Sequence, residues 1–298
     1  MKKPNFFIVG APRCGTTSMY EYLKAHPDIF MPLPKEPHYF GSDLVGRRIP
    51  KTEAQYLKLF AKAREETRLG EASVWYLYSK RAAQEIYQFN PSSRIIIMLR
   101  NPIDMIYSLH AEFLYTANED IADFELALHA EEDRRNGRRI PWLARFPQGL
   151  LYAEVARYSE QVRRYIDVFG REHLHIVMFD ELERDTAGMY QETLKFLDVN
   201  PDFQLPHHPI YNSHKVARTR ILRAIAQLMR ITGRRLYRPL VPAPLDLGVC
   251  SAIMRVNTRY ERRPSMDGKL RARLQERFAP EVSRLGDLLG CDLTHWVK

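Results

Sequence analysis

The stretch FFIVGAPRCGTTS, residues 6–18, decides the fold of this 298-residue chain. Its first four residues are apolar and predict a strand, and the residues after Gly15 predict the start of an amphipathic helix. The loop between them is bounded by Gly10 and Gly15. Such a loop directs successive backbone N–H groups at an anion, and the helix N-terminus adds partial positive charge. The stretch therefore predicts a β–loop–α unit that binds a phosphate-type ligand.

The cation of this loop differs from that of a nucleoside triphosphate loop. The glycine spacing is that of a P-loop, but Thr16 and Thr17 stand where a lysine followed by Ser or Thr is expected. That lysine reaches the terminal phosphates of ATP or GTP, and the cation inside this loop is Arg13 instead. We therefore expect a ligand other than a nucleoside triphosphate. Cys14 either fills the loop as a small residue, the plainer interpretation, or is activated by the helix N-terminus.

A second segment, residues 94–108, predicts another anion contact. It begins with the apolar, β-branched run 94–99, which is typical of a buried parallel strand. Arg100 follows at the carboxyl end of that strand, where ligands bind in open α/β sheets. Asn101 and the proline after it are typical of a helix start, so Ser108 lies about two turns into the helix. An arginine and a hydroxyl group can together hold a second phosphate.

These segments resemble the sulfotransferases that use 3′-phosphoadenosine 5′-phosphosulfate (PAPS). Residues 12–18 are similar to the family's 5′-phosphosulfate loop, and residues 100–108 are similar to its 3′-phosphate motif. Residues 35–40, KEPHYF, look like the Lys-Glu-x-His-Phe-Phe segment of carbohydrate sulfotransferases, including the heparan sulfate 3-O enzymes. The C-terminal stretch 263–296 resembles the tail of the bacterial members.

One segment departs from the heparan sulfate enzymes. Where those enzymes read Glu-Lys-Thr-Pro-x-Tyr, residues 71–76 of this chain read EASVWY, without the lysine. The departure argues against heparan-type substrate recognition and agrees better with the bacterial branch of the family.

The resemblance implies sulfuryl transfer from PAPS to a hydroxyl or amine acceptor, a carbohydrate or glycoconjugate, with 3′-phosphoadenosine 5′-phosphate (PAP) as product and no metal. Glu36 is implied as the general base, although its sequence context alone also fits a surface carboxylate paired with Lys35. His38 is either a second acid/base group or a hydrogen-bonding partner within the loop, and Arg13 offsets charge on the leaving group. The implied donor-binding residues are Arg13, Cys14, Gly15, Thr16, Thr17, Ser18, Arg100, Ser108, Lys215 and Arg218.

Positive charge is concentrated in one window. Residues 203–245 contain eight Lys or Arg and no Asp or Glu, in a chain whose formal net charge is +9. Apolar residues recur there at helical spacing and predict a basic amphipathic helix at 218–238. Three interpretations stay open: the helix attracts an anionic acceptor or the donor, it lies on a membrane surface, or it packs on the core with its basic face solvated. We expect no nucleic-acid partner, because no nucleic-acid-binding signature accompanies the charge.

The alternation of predicted strands and helices indicates a P-loop-like α/β fold, a parallel sheet with helices on both faces. We predict one sulfotransferase domain over residues 1–298, with a basic helical subregion at about 203–245. The predicted strands are 6–9, 68–72, 94–99 and 173–179, and the predicted helices are 16–25, 52–63, 80–89, 102–116, 124–135, 152–169, 186–197 and 269–289.

The sequence favours the cytoplasm. No apolar run reaches the length of a membrane span, and the N-terminus lacks the pattern of a signal peptide. The three cysteines form neither a zinc pattern nor a disulfide framework. We therefore expect a cytoplasmic enzyme, with peripheral membrane contact through residues 218–238 as the alternative.

Two other functions stay open. A P-loop kinase acting on a small molecule would need a Walker lysine, which this loop lacks, and an acidic residue at a strand end, for which Asp180 is the candidate. A non-catalytic module that binds an anionic ligand or a membrane surface would use the basic helix.

Overall fold

The computed structural model describes residues 2–46, 50, 52–205, 215–217, 219, 257–261 and 264–298, with residues 215–217 and 260 in their backbone only. The chain divides into two compact units. The first is built from residues 1–105, 154–211 and 271–298, and the second from residues 106–153 and 212–270. The single domain expected from the sequence stays a prediction.

The first unit is built on a five-stranded sheet in the order β2-β3-β1-β4-β5. Every neighbouring pair of its strands is parallel. Because the carboxyl ends of parallel strands lie at one edge of a sheet, the loops that follow β3, β1 and β4 leave the sheet side by side. The strands are β1 (Phe6–Gly10), β2 (Ile29–Phe30), β3 (Arg68–Ala72), β4 (Arg94–Leu99) and β5 (Leu174–Met178).

The apolar runs seen in the sequence form the centre of this sheet. All five residues of β1 are buried, as are the last five residues of β4. In the register of the sheet, Phe6 is paired with Gly70 on one side and with Arg94 on the other. A strand covered by helices on both faces needs this continuous apolar run, so the strands predicted at 6–9 and 94–99 are confirmed.

Helices follow the strands and flank the sheet. One of them, α4, carries the chain from the first unit into the second. Among the described residues, no helix is long and apolar enough to cross a membrane. The helices are α1 (Thr16–Lys24), α2 (Glu53–Leu57), α3 (Ala82–Phe89), α4 (Pro102–Tyr115), α5 (Phe124–His129), α6 (Glu131–Arg135), α7 (Tyr152–Val155), α8 (Tyr158–Phe169), α9 (Phe179–Arg184), α10 (Thr186–Phe196) and α11 (Gly268–Leu289).

Several element predictions were wrong in detail. The helices predicted at 124–135 and 152–169 are each divided in two, and the one predicted at 52–63 ends as the 3-10 turn Lys58–Phe60. The apolar period continues across the breaks within 52–63 and 152–169 and so does not reveal them. The segment 131–135 has no apolar residue, so no period marks the break before it. Strand β2 has only two residues, too few to show an alternating pattern. Helix α9 starts directly after β5, so no loop residues mark its beginning in the sequence.

A buried ion pair organises the second unit. The guanidinium of Arg134 donates to Glu119 Oε1 at 2.7 Å, and the exposed fraction of each side chain is at most 1%. The Tyr152 hydroxyl donates to the other carboxylate oxygen at 2.8 Å, and Arg134 also donates to three backbone carbonyls. The unit further contains the antiparallel pair β6 (Lys215–Ala217) and β7 (Thr258–Tyr260).

The close approach of β1 and β3 gives a stability prediction. A Cβ added at Gly70 would overlap the ring of Phe6 and come within 2.5 Å of Met31 Sδ. Overpacking of this kind costs about 1–3 kcal/mol. We therefore expect Gly70→Ala to lower Tm by at least about 2 °C in a thermal melt. Gly268→Ala is the control, because an added Cβ there meets no atom within 4 Å. Equal melting of Gly70→Ala and wild type would contradict the β1–β3 register.

Candidate functional site

Three of the predicted motifs lie at the carboxyl ends of three neighbouring strands. The loop of residues 11–15 follows β1, Arg100 follows β4, and the Glu36 N–H donates to the carbonyl of Ala72, the last residue of β3, at 3.0 Å. In the sheet, β1 lies between β3 and β4, and the chain order reverses there. Ligands of open α/β sheets bind at such a switch point, so the topology brings these motifs to one candidate site.

The loop after β1 has the backbone of an anion site. Arg13 and Gly15 both have positive φ, 63° and 83°. Gly15 is the N-cap of α1 and supplies no capping side chain, and the first turn of α1 has no acidic residue. Thr16 and Ser18 are buried in that turn. A helix N-terminus that is neither capped nor neutralised by a carboxylate favours a phosphate group.

Arg100 lies against this loop. Its Nη1 donates to the carbonyl of Arg13 at 3.5 Å, and its guanidinium carbon lies 4.4 Å from the centre of the Phe179 ring. The same ring approaches the loop itself, because a Cβ added at Gly15 would lie 3.1 Å from it. Phe179, the first residue of α9, therefore packs against both predicted phosphate-binding segments. This position of Phe179 was not predicted from the sequence, in which the only signal is an aromatic residue at the end of a predicted strand.

Cys14 fills the interior of the loop. Its side chain is buried, with Sγ 3.4 Å from the carbonyl of Pro12 and 3.9 Å from the Tyr158 hydroxyl. Burial raises the pKa of Cys14 to about 12, although Arg100 and Arg13 oppose this shift. Burial and the raised pKa favour the interpretation as a small residue that fills the loop over activation by the helix N-terminus.

The carboxylate of Glu36 is held between two side chains of its own loop. Lys35 Nζ donates to Glu36 Oε1 at 3.0 Å, and His38 Nε2 lies 3.2 Å from Glu36 Oε2. The exposed fraction is 32% for the Glu36 side chain and 4% for that of His38. Burial alone would raise the pKa of Glu36, but Lys35 and His38 overcome that effect and hold the pKa well below its usual range. Glu36 is therefore an ionised, oriented carboxylate that can meet a ligand from solvent.

The backbone around Glu36 is unusual. Glu36 and His38 have φ of 62° and 49°, in the left-handed region that non-glycine residues seldom adopt. Each such residue costs about 1–2 kcal/mol, so hydrogen bonds from neighbouring segments must hold this loop.

The C-terminal segment is bound beside the site. The Trp296 Nε1 donates to Asp180 at 2.6 Å, and the Trp296 carbonyl accepts from Asn101 Nδ2 at 2.8 Å. Asp180 follows Phe179 and Asn101 follows Arg100, so this buried tryptophan is tied to both neighbours of the Arg100–Phe179 contact. Only the resemblance of the tail pointed to this segment in the sequence.

The described structure does not test the roles of three other predicted residues, Ser108, Lys215 and Arg218. Ser108 is buried on α4, in the second unit. Lys215 is the first residue of β6 and is described in its backbone only, and Arg218 and the helix expected at 218–238 lie outside the described residues. Roles for these residues, and a membrane contact through 218–238, stay predictions.

Comparisons with known proteins agree with this geometry. The family model described as "Sulfotransferase domain" matches residues 3–220. A crystal structure of a sulfotransferase from Alicyclobacillus acidocaldarius is 30% identical and covers 100% of both chains, with a TM-score of 0.74. These matches confirm the predicted α/β fold class and the resemblance on which the sequence analysis relied.

Two human proteins are similar over a shorter length. Carbohydrate sulfotransferase 15 is 31% identical over 252 residues, covering 66% of this chain and 44% of the human protein. Heparan sulfate glucosamine 3-O-sulfotransferase 6 is 29% identical over 196 residues, covering 66% and 52%. The chain thus spans about half the length of these relatives, or less.

The burial of Cys14 gives a reactivity prediction. A thiol with a pKa of about 12 is almost wholly protonated at pH 8, and the thiolate is the species that attacks iodoacetamide and displaces its iodide. We expect native protein to keep Cys14 unmodified, and guanidinium-unfolded protein to lose this protection, as measured by peptide mass spectrometry. The exposed Cys291 is the internal control. Alkylation of Cys14 ahead of Cys291 would contradict the buried loop.

Proposed function

This chain belongs to the sulfotransferase family, and we propose that it transfers the sulfuryl group of PAPS to a hydroxyl group of a carbohydrate, leaving PAP. The observation that carries the proposal is the position of the three motif segments at the carboxyl ends of β3, β1 and β4. The choice of a carbohydrate acceptor rests on the names of the two human relatives.

The donor would bind through both phosphate groups. The backbone N–H groups at the start of α1 and the hydroxyls of Thr16, Thr17 and Ser18 would bind the 5′-phosphate, since this helix end has neither a capping side chain nor an acidic first turn. Arg100, fixed over the Phe179 ring, would bind the 3′-phosphate, with Ser108 as its predicted companion. This second phosphate would distinguish PAPS from plain adenylates.

Transfer is an in-line displacement at sulfur. The acceptor oxygen forms a bond to sulfur while the bond from sulfur to the bridging oxygen breaks, and the electron pair of that bond leaves on the 5′-phosphate of PAP. Arg13, within the loop, would offset the charge that develops there. The acceptor proton passes to Glu36, whose carboxylate is oriented by Lys35 and His38.

The environment of Glu36 affects when the proton moves. The contacts that keep Glu36 ionised also hold its pKa low, which makes it a weak base. A weak base accepts a proton only from a hydroxyl that has become acidic. Proton transfer would therefore accompany formation of the bond to sulfur rather than precede it, and His38 acts as a partner that orients Glu36.

The kinase alternative is less well supported. Its candidate magnesium ligand, Asp180, accepts a 2.6 Å hydrogen bond from the buried Trp296 and lies 3.4 Å from His295 Nε2. A carboxylate committed to the C-terminal segment is poorly placed to hold a magnesium ion for ATP.

Donor selectivity is tested by calorimetric titration with PAP, 5′-AMP and Mg·ATP. We expect PAP to bind at least about tenfold more tightly than 5′-AMP, the effect of one charge-assisted phosphate contact, and Arg100→Ala to remove the difference. Arg94→Ala is the matched control, because Arg94 begins the same strand but pairs with Asp198. Equal affinity for PAP and 5′-AMP would reject the donor assignment, and tighter binding of Mg·ATP would favour the kinase.

The base is tested with labelled PAPS and a panel of unsulfated glycosaminoglycan chains. We expect Glu36→Gln to lower kcat about 10²–10⁴-fold, because the amide cannot take the acceptor proton. Its affinity for PAP should stay within about twofold of wild type, since Glu36 is assigned no donor contact. Glu21→Gln is the control: Glu21 lies on α1 and pairs with Lys24. Full activity of Glu36→Gln would exclude Glu36 as the base.

A further inference from the structure

Glu71, near the end of β3, is a buried carboxylate that the transfer step does not use. We propose that Glu71 is a positioning residue, which holds the loop 35–40 through two hydroxyl groups and so keeps Glu36 and His38 in their working conformation. This inference rests on the proposed function, because it takes Glu36 as the base.

The loop is attached to the segment that follows β3. Three alternate backbone N–H groups of the loop are bound there, and two of the three acceptors are side-chain hydroxyls. The Glu36 N–H donates to the Ala72 carbonyl at 3.0 Å, the His38 N–H to Ser73 Oγ at 3.1 Å, and the Phe40 N–H to Tyr76 Oη at 3.2 Å.

Both of these hydroxyls donate their own proton to Glu71. Ser73 Oγ donates to Glu71 Oε1 at 2.5 Å, and Tyr76 Oη donates to Glu71 Oε2 at 3.2 Å. Tyr56, from α2, donates a third hydroxyl to Oε2 at 2.5 Å. A hydroxyl has one proton and two lone pairs. When the hydroxyl donates its hydrogen bond to Glu71, its lone pairs are left to accept from the loop N–H. The carboxylate therefore sets the direction of each hydroxyl.

An ionised carboxylate accepts from all three hydroxyls and presents no donor of its own. A glutamine at position 71, or a protonated Glu71, would turn a donor toward one of the hydroxyls. A hydroxyl that had to accept from position 71 would direct its own proton elsewhere. Glu71 would then no longer fix the direction of the Ser73 hydroxyl, and its lone pair would no longer be held toward the His38 N–H. The loop would lose the fixed direction of one of its attachments.

Such a loss matters because the loop is strained. Glu36 and His38 both lie in the left-handed region, with φ of 62° and 49°. Conformations of this kind persist only where the surroundings hold them. We therefore expect a released loop to leave this conformation, and the Glu36 carboxylate to lose its alignment with the acceptor.

The protonation of Glu71 supports a role beyond stability. Burial raises its pKa to about 7, with three hydroxyl donors opposing the shift and the nearby Glu36 carboxylate adding to it. The groups that face it, Tyr56, Tyr76 and Tyr165, have pKa values raised well above the ordinary value and stay neutral.

The sign of the resulting pH dependence follows from that shift. The folded state holds the proton up to about pH 7, whereas the unfolded chain releases it near the ordinary value of 4.5. Between these values the contribution of Glu71 to stability falls as pH rises. Above about pH 7, ionised Glu71 thus lowers the free energy of unfolding of the protein, although it orders the loop in the same pH range.

The first test is hydrogen exchange of the peptide covering residues 35–40, at pH 8. In Glu71→Gln and Ser73→Ala we expect exchange about tenfold faster than in wild type, the effect of losing one buried hydrogen bond. Tyr56→Phe is the matched control. It removes a donor to Glu71 but no acceptor of a loop N–H, so its exchange should stay within about twofold of wild type. Unchanged exchange in both test variants would overturn the proposal.

The second test is turnover of labelled PAPS with an unsulfated glycosaminoglycan acceptor. We expect Glu71→Gln to lower kcat about 10²-fold, the loss typical of a misplaced catalytic group, with KM for PAPS unchanged. In wild type, kcat should fall as pH drops through about 7, and this fall should be absent from the pH profile of Glu71→Gln. If the fall in kcat below pH 7 persists in Glu71→Gln, it belongs to another group, and the role of Glu71 is overturned.

The outcomes separate the two proposals. An inactive Glu36→Gln beside a fully active Glu71→Gln would leave the function standing and reject the positioning role. An active Glu36→Gln would reject the function, while hydrogen exchange would still decide whether Glu71 holds the loop. If Glu71→Gln fails to fold, Ser73→Ala keeps the buried carboxylate and decides the question. Wild-type exchange and kcat in Ser73→Ala would then overturn the proposal.

Discussion

The parallel pairing of β1 with β3 on one side and β4 on the other is the constraint on which the rest of the site depends. Strand β1 pairs with both neighbours through its backbone and is buried along its whole length, so its position in the sheet is fixed. The loop after β1 consequently leaves the sheet between the ends of β3 and β4. The loop of Glu36 is attached to the end of β3, and Arg100 stands at the end of β4. Shifting β1 by one residue would move the anion loop away from both.

Opposite charge requirements are met at this one edge of the sheet. The half proposed to bind the donor contains Arg13, Arg100 and the uncapped start of α1. The half proposed to bind the acceptor contains a carboxylate, Glu36, that Lys35 and His38 keep ionised. A free carboxylate facing the loop would repel the phosphates of the donor, and pairing Glu36 with Lys35 reduces that repulsion. The same pairing keeps Glu36 ionised and would make it a weak base in the proposed transfer.

Prediction from the sequence succeeded where structure is local. The strands 6–9, 68–72 and 94–99 and the starts of α1 and α4 follow from apolar runs, glycines and the Asn101–Pro102 pair, because these signals act within a few residues. It failed where the chain breaks without a change of pattern. The break between α7 and α8 is an example, since the apolar period of that region continues across it.

The sequence by itself determined the chemistry available to this protein: an arginine within a glycine-bounded loop, Arg100 at a strand end, and Glu36 beside Lys35. Residue type and short spacing suffice for that, because motif and strand-end position are set locally. Only the tertiary structure decided the environment of these groups. It placed Phe179 under Arg100, tied Trp296 to Asp180, buried Cys14, and set three hydroxyls around Glu71. These contacts join residues that are distant along the chain, and burial depends on how the whole chain packs, which no local pattern encodes.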